Sequence, residues 1–536
     1  MTVSPELAAE VNAWIADDPH PGDAAELQAL LDAGDTDELA DRFAGPLTFG
    51  TAGLRGPLRS GPNGMNAAVV RRAAAGIAAQ LAADGAAGGI VVIGYDGRHR
   101  SREFALDSAA VFAAAGFDAR LLPRLLPTPV LAYAVGQLGA AAGVMVTASH
   151  NPPQDNGYKV YAHDGAQIVP PLDSGIESQI RAVPSVRAIA LATNYSVLTE
   201  AIVDSYVQAI AGLVSPDSAR ELVLVHTAMH GVGSTVLRAV FAAAGFPAAI
   251  EVSEQAEPDP DFSTVAFPNP EEPGAMDLAL ALAGSVGADL IIANDPDADR
   301  CAVGARFATG WRMLRGDEVG VLLADCLIRK GIHGTYATTI VSSTMLSAMA
   351  ARHGVPFAET LTGFKWISRA APDLVYGYEE ALGYAVAPSL VRDKDGISAA
   401  LLVTELAAEL EAVGSSLPAR LAELAAEYGL FSTRQLSWRV SDLSLIDAAM
   451  SRLRAALPGE LLGEPVTVTD LAPDNDVLIL RFPGGRVVVR PSGTEPKCKA
   501  YLEIVVADAA DLGTAERLAG DRLDGLAAEI SALVAL

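Results

Sequence analysis

Short runs of Val, Ile and Leu alternate along the chain with Ala- and Leu-rich stretches. The runs are IVVIGY (90–95), GVMVTA (143–148), LVLVHT (222–227), DLIIAND (289–295) and ATTIVSS (337–343). Continuous apolar runs of this length, separated by helix-like segments, are typical of buried parallel strands. The pattern predicts α/β domains. In open α/β sheets, ligands bind beyond the carboxyl ends of the strands, so we expect functional residues in the segments after these runs.

One short sequence recurs along the chain. The octapeptide AVFAAAGF stands at 110–117 and at 239–246, and MAARHGVPF at 349–357 is a looser third copy. Each copy has the pattern of a helix end, a Gly at the C-cap and the entry to a strand. Recurrence at a domain-length interval predicts three similar α/β domains.

The C-terminal part has a different pattern. Strand-like VLILRF (477–482), RVVVR (486–490) and KAYLEIVVA (499–507) precede a helical tail at 514–534. The sequence therefore predicts an α/β fold, with three similar domains that have mostly parallel mixed sheets and a smaller C-terminal α+β domain. The predicted domains are 1–200, which includes a helical N-terminal extension of about 40 residues, then 201–310, 311–435 and 436–536.

Composition narrows the class of protein. Of 536 residues, 51% are apolar and 19% charged, which excludes global disorder. A net charge of −27 predicts no nucleic-acid partner and no membrane partner, because both are anionic. Cys301, Cys326 and Cys498 are far apart in sequence, which argues against disulfides and a thiolate zinc site. With no signal-peptide pattern at the N-terminus, we expect a cytoplasmic protein.

A Ser-His pair follows the second apolar run. In TASHNPPQDNGYKV (147–160), Ser149 lies on a loop stiffened by two prolines, with His150 beside it and Lys159 ten residues on. A hydroxyl at the end of a strand, with cations near it, is suited to carry a phosphoryl group, and His150 and Lys159 are candidates for proton transfer. The alternative is a loop serine that caps the next turn.

Three alternating carboxylates follow the run DLIIAN. Asp295, Asp297 and Asp299 of DPDADR (295–300) can converge on one hard cation such as Mg²⁺. An EF-hand is excluded, because its Gly and Glu positions hold Arg300 and Arg306 here. Two alternatives stay open: a phosphatase with Asp295 as its nucleophile, and a solvated acidic turn.

Two later loops combine glycine with charged or hydroxyl side chains. Glu379 and Glu380 of VYGYEEALGY (375–384) could accept hydrogen bonds from neighbouring sugar hydroxyls, and Lys365 and Lys394 are close in sequence; a surface loop is the alternative. In RPSGTEPK (490–497), the guanidinium, hydroxyls and backbone N–H groups are suited to a phosphate; a plain β-turn is the alternative. Two more loops join glycine to cations: FGTAGLRG, with Thr51 and Arg55, and GYDGRHRS, with Arg98 and Arg100.

In this order, the four loops that hold Ser149, the aspartates, the glutamates and RPSGTEPK resemble those of the α-D-phosphohexomutase superfamily. The resemblance runs from about Phe49 to Lys499. It implies three similar α/β domains plus a fourth, with the active site in a central cleft. It also implies a phosphoserine at Ser149, glucose 1,6-bisphosphate as activator and sugar monophosphates as substrates.

The resemblance carries over to individual positions. It implies a catalytic group of Ser149, His150, Lys159 and Arg300; a Mg²⁺ site of Asp295, Asp297, Asp299 and Ser149; a sugar site of Glu379, Glu380, Lys365 and Lys394; and phosphate contacts from Arg490, Ser492, Gly493, Thr494, Lys499, Thr51 and Arg55.

The sugar loop departs from the usual pattern of the superfamily. Ala381 stands where a serine usually follows the first glutamate by two residues, and the loop ends in Gly383-Tyr384 instead of Gly-His. With FGTAGLRG and GFKWI, it is closer to the phosphoglucomutase/phosphopentomutase branch. We therefore expect interconversion of glucose 1-phosphate and glucose 6-phosphate. Phosphomannomutase or phosphopentomutase activity by the same mechanism is the alternative, and a Mg²⁺-dependent sugar-phosphate phosphatase is a more distant one.

Overall fold

The computed structural model describes residues 3–49, 53–440, 442, 444–492 and 497–534. It begins with three helices: α1 (Pro5–Asp17), α2 (Pro21–Ala33) and α3 (Thr36–Arg42). Ser4 caps α1 by accepting a hydrogen bond from the backbone N–H of Leu7. Val11, Leu27 and Leu39 form a small core between the helices. These helices lie in the segment for which the sequence predicts a helical extension.

A six-stranded sheet follows, with its helices. The elements are β1 (Leu54–Pro57), α4 (Ala67–Ala83), β2 (Ile90–Tyr95), α5 (Ser101–Ala114), β3 (Asp118–Leu121), α6 (Thr128–Gln137), β4 (Ala142–Val146), β5 (Asp155–Ala162), α7 (Leu172–Arg181) and β6 (Ser196–Val197). The strand order is β1-β5-β4-β2-β3-β6. Strands β4, β2, β3 and β6 run parallel, whereas β5 is antiparallel to β4. Only residues 147–154 join β4 to β5, which is too short for a parallel crossover.

The second sheet repeats this arrangement. Its elements are α8 (Ala201–Ala211), β7 (Leu224–Thr227), α9 (Gly233–Ala243), β8 (Ile250–Glu251), α10 (Asp277–Val286), β9 (Leu290–Ala293), β10 (Ala302–Phe307) and β11 (Gly310–Met313), in the strand order β11-β10-β9-β7-β8. Parallel β9 is followed by residues 294–301 and then by antiparallel β10. The aspartate loop therefore occupies the same position in its sheet as the Ser149 loop does in the first.

The third group of elements is again α/β. It contains α11 (Gly316–Arg329), β12 (Thr335–Thr339), α12 (Met345–His353), β13 (Phe357–Thr360), α13 (Phe364–Ile367), β14 (Leu374–Glu379), β15 (Gly383–Ala385), α14 (Gly396–Ala412) and α15 (Leu417–Tyr428). Strand β12 lies between β13 and β14 and is parallel to both.

The C-terminal elements form an antiparallel sheet covered by helices. They are β16 (Leu430–Arg439), α16 (Ser444–Ala455), β17 (Glu460–Leu461), β18 (Glu464–Pro465), β19 (Thr467–Asp470), β20 (Leu478–Phe482), β21 (Gly485–Pro491), β22 (Lys497–Val506) and α17 (Leu512–Val534). The strand order is β16-β22-β21-β20-β19. Leu480, Val487, Leu502 and Leu526 lie in the core of this domain. The predicted fold class, three α/β domains followed by a distinct C-terminal one, is confirmed.

All three copies of the recurring sequence have the predicted conformation. Helices α5, α9 and α12 each end just before a glycine with positive φ: Gly116 at 88°, Gly245 at 80° and Gly354 at 64°. Strands β3, β8 and β13 follow these glycines. Glycine adopts this left-handed conformation without the steric cost of a Cβ atom, which explains its recurrence at each helix end.

The chain divides into two compact units. One comprises Met1–Leu314, Phe364–Arg369 and Gly383–Glu409; the other comprises Arg315–Gly363, Ala370–Leu382 and Leu410–Leu536. None of the helices in the described residues combines the length and the apolar character needed to cross a bilayer.

Candidate active site

Ser149 lies on the loop after β4 and faces the aspartate loop. Its Oγ donates a hydrogen bond to Asp295 Oδ2 at 2.8 Å, and His150 Nδ1 lies 3.2 Å from the same Oγ. The Ser149 backbone is left-handed, with φ 53°, a conformation that costs a non-glycine residue about 1–3 kcal/mol. Its own N–H donates to Thr147 Oγ1 at 2.9 Å. The loop thus presents a strained, buried hydroxyl to a carboxylate.

The three aspartates of the loop after β9 converge as the alternating pattern predicts. Asp295, Asp297 and Asp299 are fully buried, and one carboxylate oxygen of each lies within 4.8 Å of the other two. Among the described residues, Asp297 Oδ1 and Asp299 Oδ1 have no hydrogen-bond partner. Buried carboxylate oxygens without a partner are costly, and oxygen ligands of this kind suit Mg²⁺. The residues present therefore fit the predicted metal.

Cations and a hydroxyl occupy the other oxygens of two aspartates. Lys159 Nζ lies 2.7 Å from Oδ2 of both Asp297 and Asp299. Lys394 Nζ lies 3.3 Å from Asp299 Oδ2, and Thr128 Oγ1 donates to Asp297 Oδ2 at 2.6 Å. Burial alone would lower the pKa of Lys159, but the two carboxylates raise it above its ordinary value. Lys159 is thus a protonated part of the site.

The ionisation of Asp295 and His150 reflects the same charges. Burial, with the charges of Asp297 and Asp299, raises the pKa of Asp295. Burial, with the positive charges of Arg300 and Arg55, holds the pKa of His150 well below its ordinary value. His150 is therefore a neutral imidazole beside the Ser149 hydroxyl at neutral pH.

Arg300 and Arg55 also lie at these loops. The backbone N–H of Arg300 donates to Asp295 Oδ1 at 3.0 Å, and its Nη1 lies 3.5 Å from Glu271 Oε2. Arg55 Nη1 donates to Asn151 Oδ1 at 3.2 Å. Both predicted positions therefore contribute positive charge near the loops of Ser149 and the aspartates.

A loop after β7 packs against the aspartate loop. The N–H of Val232 donates to the carbonyl of Pro296 at 2.8 Å, and a Cβ on Gly231 would overlap Pro296. His226 Nε2 lies 3.1 Å from Asn294 Oδ1, and Asn294 Nδ2 donates to the carbonyl of Arg300 at 2.7 Å. Sequence reasoning missed this loop. The signal was its place after the run LVLVHT, at the carboxyl end of a strand.

Thr128 was also missed. It is the first residue of α6, and its backbone N–H donates to the carbonyl of Asp297 at 3.0 Å, in addition to the bond from its hydroxyl. The segment before α6 follows β3, so the rule on the carboxyl ends of strands could have directed attention to it.

The predicted sugar loop lies in the second unit, at the carboxyl end of β14. Glu380 Oε2 accepts from Ser342 Oγ at 3.1 Å, and the N–H of Glu380 donates to the same Oγ at 3.2 Å. Burial, with the negative charges of Glu379 and Asp317, raises the pKa of Glu380 to about 7, although the charge of Lys499 opposes this. Glu379, Glu380 and Lys499 are thus brought together within one unit.

Glu380 should make the stability of the protein depend on pH. Its folded-state pKa of about 7 lies above the ordinary 4.5, so folding takes up a proton between these values and stability falls as pH rises through that window. We expect Glu380→Gln to be more stable relative to wild type at pH 8 than at pH 5. Urea unfolding at the two pH values measures this. Glu411→Gln, on the exposed end of α14, is the control for loss of one charge, and an equal difference at both pH values for Glu380→Gln contradicts the expectation.

Strands β21 and β22 carry the described part of the predicted phosphate loop. Arg490 and Lys499 are directly opposite each other in the antiparallel register. Ser492 N donates to the carbonyl of Lys497 at 2.7 Å. Gly493 and Thr494 lie outside the described residues. Like charges directly opposite on a sheet are unfavourable, and a bound anion would offset this.

The remaining predicted positions are Thr51 and Lys365. Thr51 lies outside the described residues. Lys365 lies in the first unit and lines a small cavity with Gln167 and Asp173. Burial lowers the pKa of Lys365, against the effect of Asp173. In contrast, Lys394, which the sequence grouped with Lys365 as a sugar contact, lies at the aspartate loop.

Comparison with known proteins gives four family matches along the chain. The descriptions that match are the phosphoglucomutase/phosphomannomutase alpha/beta/alpha domains I (residues 46–187), II (204–306) and III (315–428) and the C-terminal domain of the same family (439–520).

Curated relatives match over most of their length. A "Probable phosphomannomutase" of Haemophilus influenzae is 46% identical, over 82% of this chain and 93% of the relative. A "Probable phosphoribomutase" of Schizosaccharomyces pombe is 35% identical, over 93% and 94%. A phosphopentomutase of Mus musculus is 33% identical, over 93% and 90%.

The fold matches solved structures as well. A phosphoglucomutase/phosphomannomutase family protein from Burkholderia thailandensis superimposes with a TM-score of 0.69, over 90% of this chain and 97% of that one, at 21% identity. The chain is thus a mutase that belongs to the phosphoglucomutase/phosphomannomutase family of the phosphohexomutases.

Proposed function

We propose that this protein interconverts sugar 1-phosphates with the isomers that carry the phosphate on the terminal hydroxyl at the other end of the sugar, as in glucose 6-phosphate. We also propose that Ser149 carries the phosphoryl group. The observation that carries the proposal is the contact of Ser149 Oγ with Asp295, at 2.8 Å, in a group of three buried carboxylates. A phosphatase with Asp295 as its nucleophile has no use for a serine in this position. Here the serine is held against the carboxylates by a strained backbone.

The proposed transfer begins with phosphorylated Ser149. A hydroxyl of the bound sugar monophosphate attacks the phosphorus, the bond from phosphorus to Ser149 Oγ breaks, and a sugar bisphosphate forms. Ser149 Oγ then attacks the phosphorus of the other phosphate of this bisphosphate, and the bond from that phosphorus to the sugar oxygen breaks. This step regenerates the phosphoenzyme and releases the isomeric monophosphate. Glucose 1,6-bisphosphate added in trace amounts would then act as activator by phosphorylating Ser149.

Asp295, Asp297 and Asp299 would hold Mg²⁺ together with an oxygen on Ser149. When bound, this ion supplies charge stabilisation to the transferring phosphoryl group. Lys159 and Lys394 limit the repulsion among the carboxylates, and Lys159 remains a protonated cation beside two of them.

We propose that His150 accepts the proton that the Ser149 hydroxyl loses. The neutral imidazole lies 3.2 Å from Ser149 Oγ, within reach of a proton released when the hydroxyl attacks a phosphate. Lys159 is poorly suited to this task, because Asp297 and Asp299 hold it in its charged form. The imidazolium formed in one half of the cycle can return its proton to the serine oxygen in the other half.

Arg490 and Lys499 would bind the phosphate that does not react. Their opposed positions on β21 and β22 concentrate positive charge within an acidic protein, and the charge of Lys499 reaches the sugar loop at Glu380. Since Glu379 and Glu380 can accept from two neighbouring hydroxyls, the sugar could bind in either of two orientations. Both orientations are needed when the bisphosphate turns end for end.

Arg490→Ala should mainly weaken substrate binding. A charge-assisted hydrogen bond to phosphate contributes roughly 1.5–3 kcal/mol, so we expect KM for the sugar 1-phosphate to rise about 10- to 150-fold. Initial-rate kinetics measure this, with Arg481→Ala on neighbouring β20 as the control for loss of a strand arginine. A loss of thermal stability in Arg490→Ala without a change in KM would favour a structural role.

For the sugar, we propose glucose 1-phosphate, with measurable turnover of mannose and pentose phosphates. Ala381 offers no hydroxyl, and a site with one fewer polar contact discriminates less between sugars. Ribose 1-phosphate is the second candidate, because relatives named phosphopentomutase and phosphoribomutase match 93% of this chain.

The test is a product assay with three sugar 1-phosphates: glucose, mannose and ribose, each with a trace of the corresponding bisphosphate. We expect the isomeric terminal phosphate in each case and no release of inorganic phosphate. Release of inorganic phosphate as the main product would overturn the mutase assignment. A kcat/KM for mannose or ribose more than about tenfold above that for glucose, which corresponds to about 1.4 kcal/mol, would overturn the choice of glucose alone.

A further inference from the structure

Arg98 donates hydrogen bonds to four backbone carbonyls in and just after the loop of Ser149. Its Nη2 donates to the backbone carbonyls of Ser149 at 2.6 Å and Asn151 at 2.5 Å. Its Nη1 donates to those of Pro152 at 2.8 Å and Asp155 at 3.1 Å. A guanidinium presents five N–H groups in a fixed planar arrangement, so one side chain can donate to four backbone carbonyls at once.

The guanidinium is itself held on several sides. Asp96 Oδ2 lies 3.4 Å from Arg98 Nε, and Asp96 Oδ1 accepts from the Arg98 N–H at 3.0 Å and from Ser101 Oγ at 2.6 Å. The ring of Phe262 lies 4.8 Å from the guanidinium carbon. Only 4% of Arg98 is exposed. The position of Arg98 is therefore fixed by Asp96, on the same loop after β2, and by Phe262, in the second domain.

The contact with the Ser149 carbonyl acts where the backbone is strained. The left-handed φ of Ser149 turns its Oγ toward Asp295, and the strain persists only if surrounding contacts hold it. One such contact is the bond from Ser149 N to Thr147 Oγ1, and the other is Arg98 on the Ser149 carbonyl. These two hydrogen bonds hold the N–H and the carbonyl of Ser149 in place.

We propose that Arg98 is a positioning residue for phosphoryl transfer, which holds Ser149 Oγ in line with the aspartate loop without touching substrate itself. The inference rests on the proposed function of Ser149 as the phosphoryl carrier. It predicts a defect in the transfer step, because a displacement of about 1 Å from the productive geometry can slow a reaction about 100-fold.

Arg100 provides a matched control two residues away. Its guanidinium pairs with Asp23 at 2.8 Å and with Glu103 at 2.7 Å, and its carbon lies 4.9 Å from the ring of Phe104. Arg100→Met thus removes an arginine of the same loop that has two ionic partners. Arg98 still donates to the carbonyls of the Ser149 loop in this variant. It reports how much a purely structural loss affects activity.

The experiment compares the wild type with Arg98→Met, Arg98→Lys and Arg100→Met by melting temperature, by kcat and KM, and by single-turnover transfer from phosphorylated Ser149 to the sugar monophosphate. We expect Arg98→Met to lower kcat and the single-turnover rate roughly 100-fold, with KM within about threefold of wild type. Arg98→Lys keeps the charge but has one nitrogen for four carbonyls, and we expect at least about a tenfold loss. Arg100→Met should retain kcat within about threefold, whatever its melting temperature.

Two results would overturn the inference. One is wild-type transfer in Arg98→Lys or Arg98→Met; the other is a loss of kcat that follows the loss of melting temperature equally in the Arg98 and Arg100 variants. If Arg98→Met fails to fold, Arg98→Lys alone decides. Absence of phosphate on Ser149 in the wild type would instead reject the proposed carrier role, so the two failures are distinguishable.

Discussion

Ser149→Ala should abolish mutase turnover. The variant keeps the loop but removes the oxygen to which the phosphoryl group is bound between the two halves of the reaction. We expect kcat to fall by about 10⁴-fold or more, as when a catalytic nucleophile is removed. Coupled assay of terminal phosphate formation measures the rate, and intact mass measures loss of the phosphate adduct.

Ser108→Ala is the control for this variant. Ser108 is a buried serine of the same domain whose Oγ donates to the carbonyl of Phe104 at 2.7 Å and accepts from Tyr158 at 2.8 Å. We expect it to lose about 1 kcal/mol of stability but to keep its activity. Residual turnover of Ser149→Ala near that of Ser108→Ala would mean that another group carries the phosphoryl.

Asp297→Asn should weaken Mg²⁺ binding by about 10- to 100-fold or more. Removal of a residue that only hydrogen-bonds to a metal ligand already has an effect of this size. The substitution retains the shape of the side chain and takes away one of three buried charges. Activity should fall at low Mg²⁺ and recover in part at high Mg²⁺. The rise of melting temperature with Mg²⁺ should shrink in parallel, since binding to the folded state alone stabilises it.

Asp289→Asn is the matched control, because Asp289 lies at the opposite end of β9 and accepts from the N–H of Val223 at 2.8 Å. It should keep the Mg²⁺ dependence of the wild type. If chelation and readdition of Mg²⁺ change neither activity nor melting temperature in the wild type, the three aspartates are not a metal site.

The fold could be predicted because each of its main features has a local signal. Buried parallel strands are apolar on both faces, so runs such as Ile90–Tyr95 stand out whatever surrounds them. The glycine at each helix end is required by the backbone itself. Because ligands bind at the carboxyl ends of strands, the apolar runs also direct attention to Ser149 and the aspartates. The equivalent positions of their loops in two sheets come from the structure.

The contacts between distant segments could not be predicted in the same way. Lys394 is near Glu379 and Glu380 in sequence, but its ammonium pairs with Asp299. Arg98 is recognisable as a cation in a glycine loop, whereas its four carbonyl acceptors lie more than 50 residues later in the chain. A long side chain reaches partners that only the tertiary structure brings near, and its sequence neighbours say little about them.

The most direct measurement is the fate of phosphate on the enzyme. The protein is labelled with isotopic phosphate from a sugar bisphosphate, digested and mapped, and a second sample is chased with unlabelled sugar monophosphate. The proposed mechanism predicts label on the peptide of Ser149 and stoichiometric transfer of this label to sugar bisphosphate in the chase. Label on Asp295, or its release as inorganic phosphate during the chase, would contradict it.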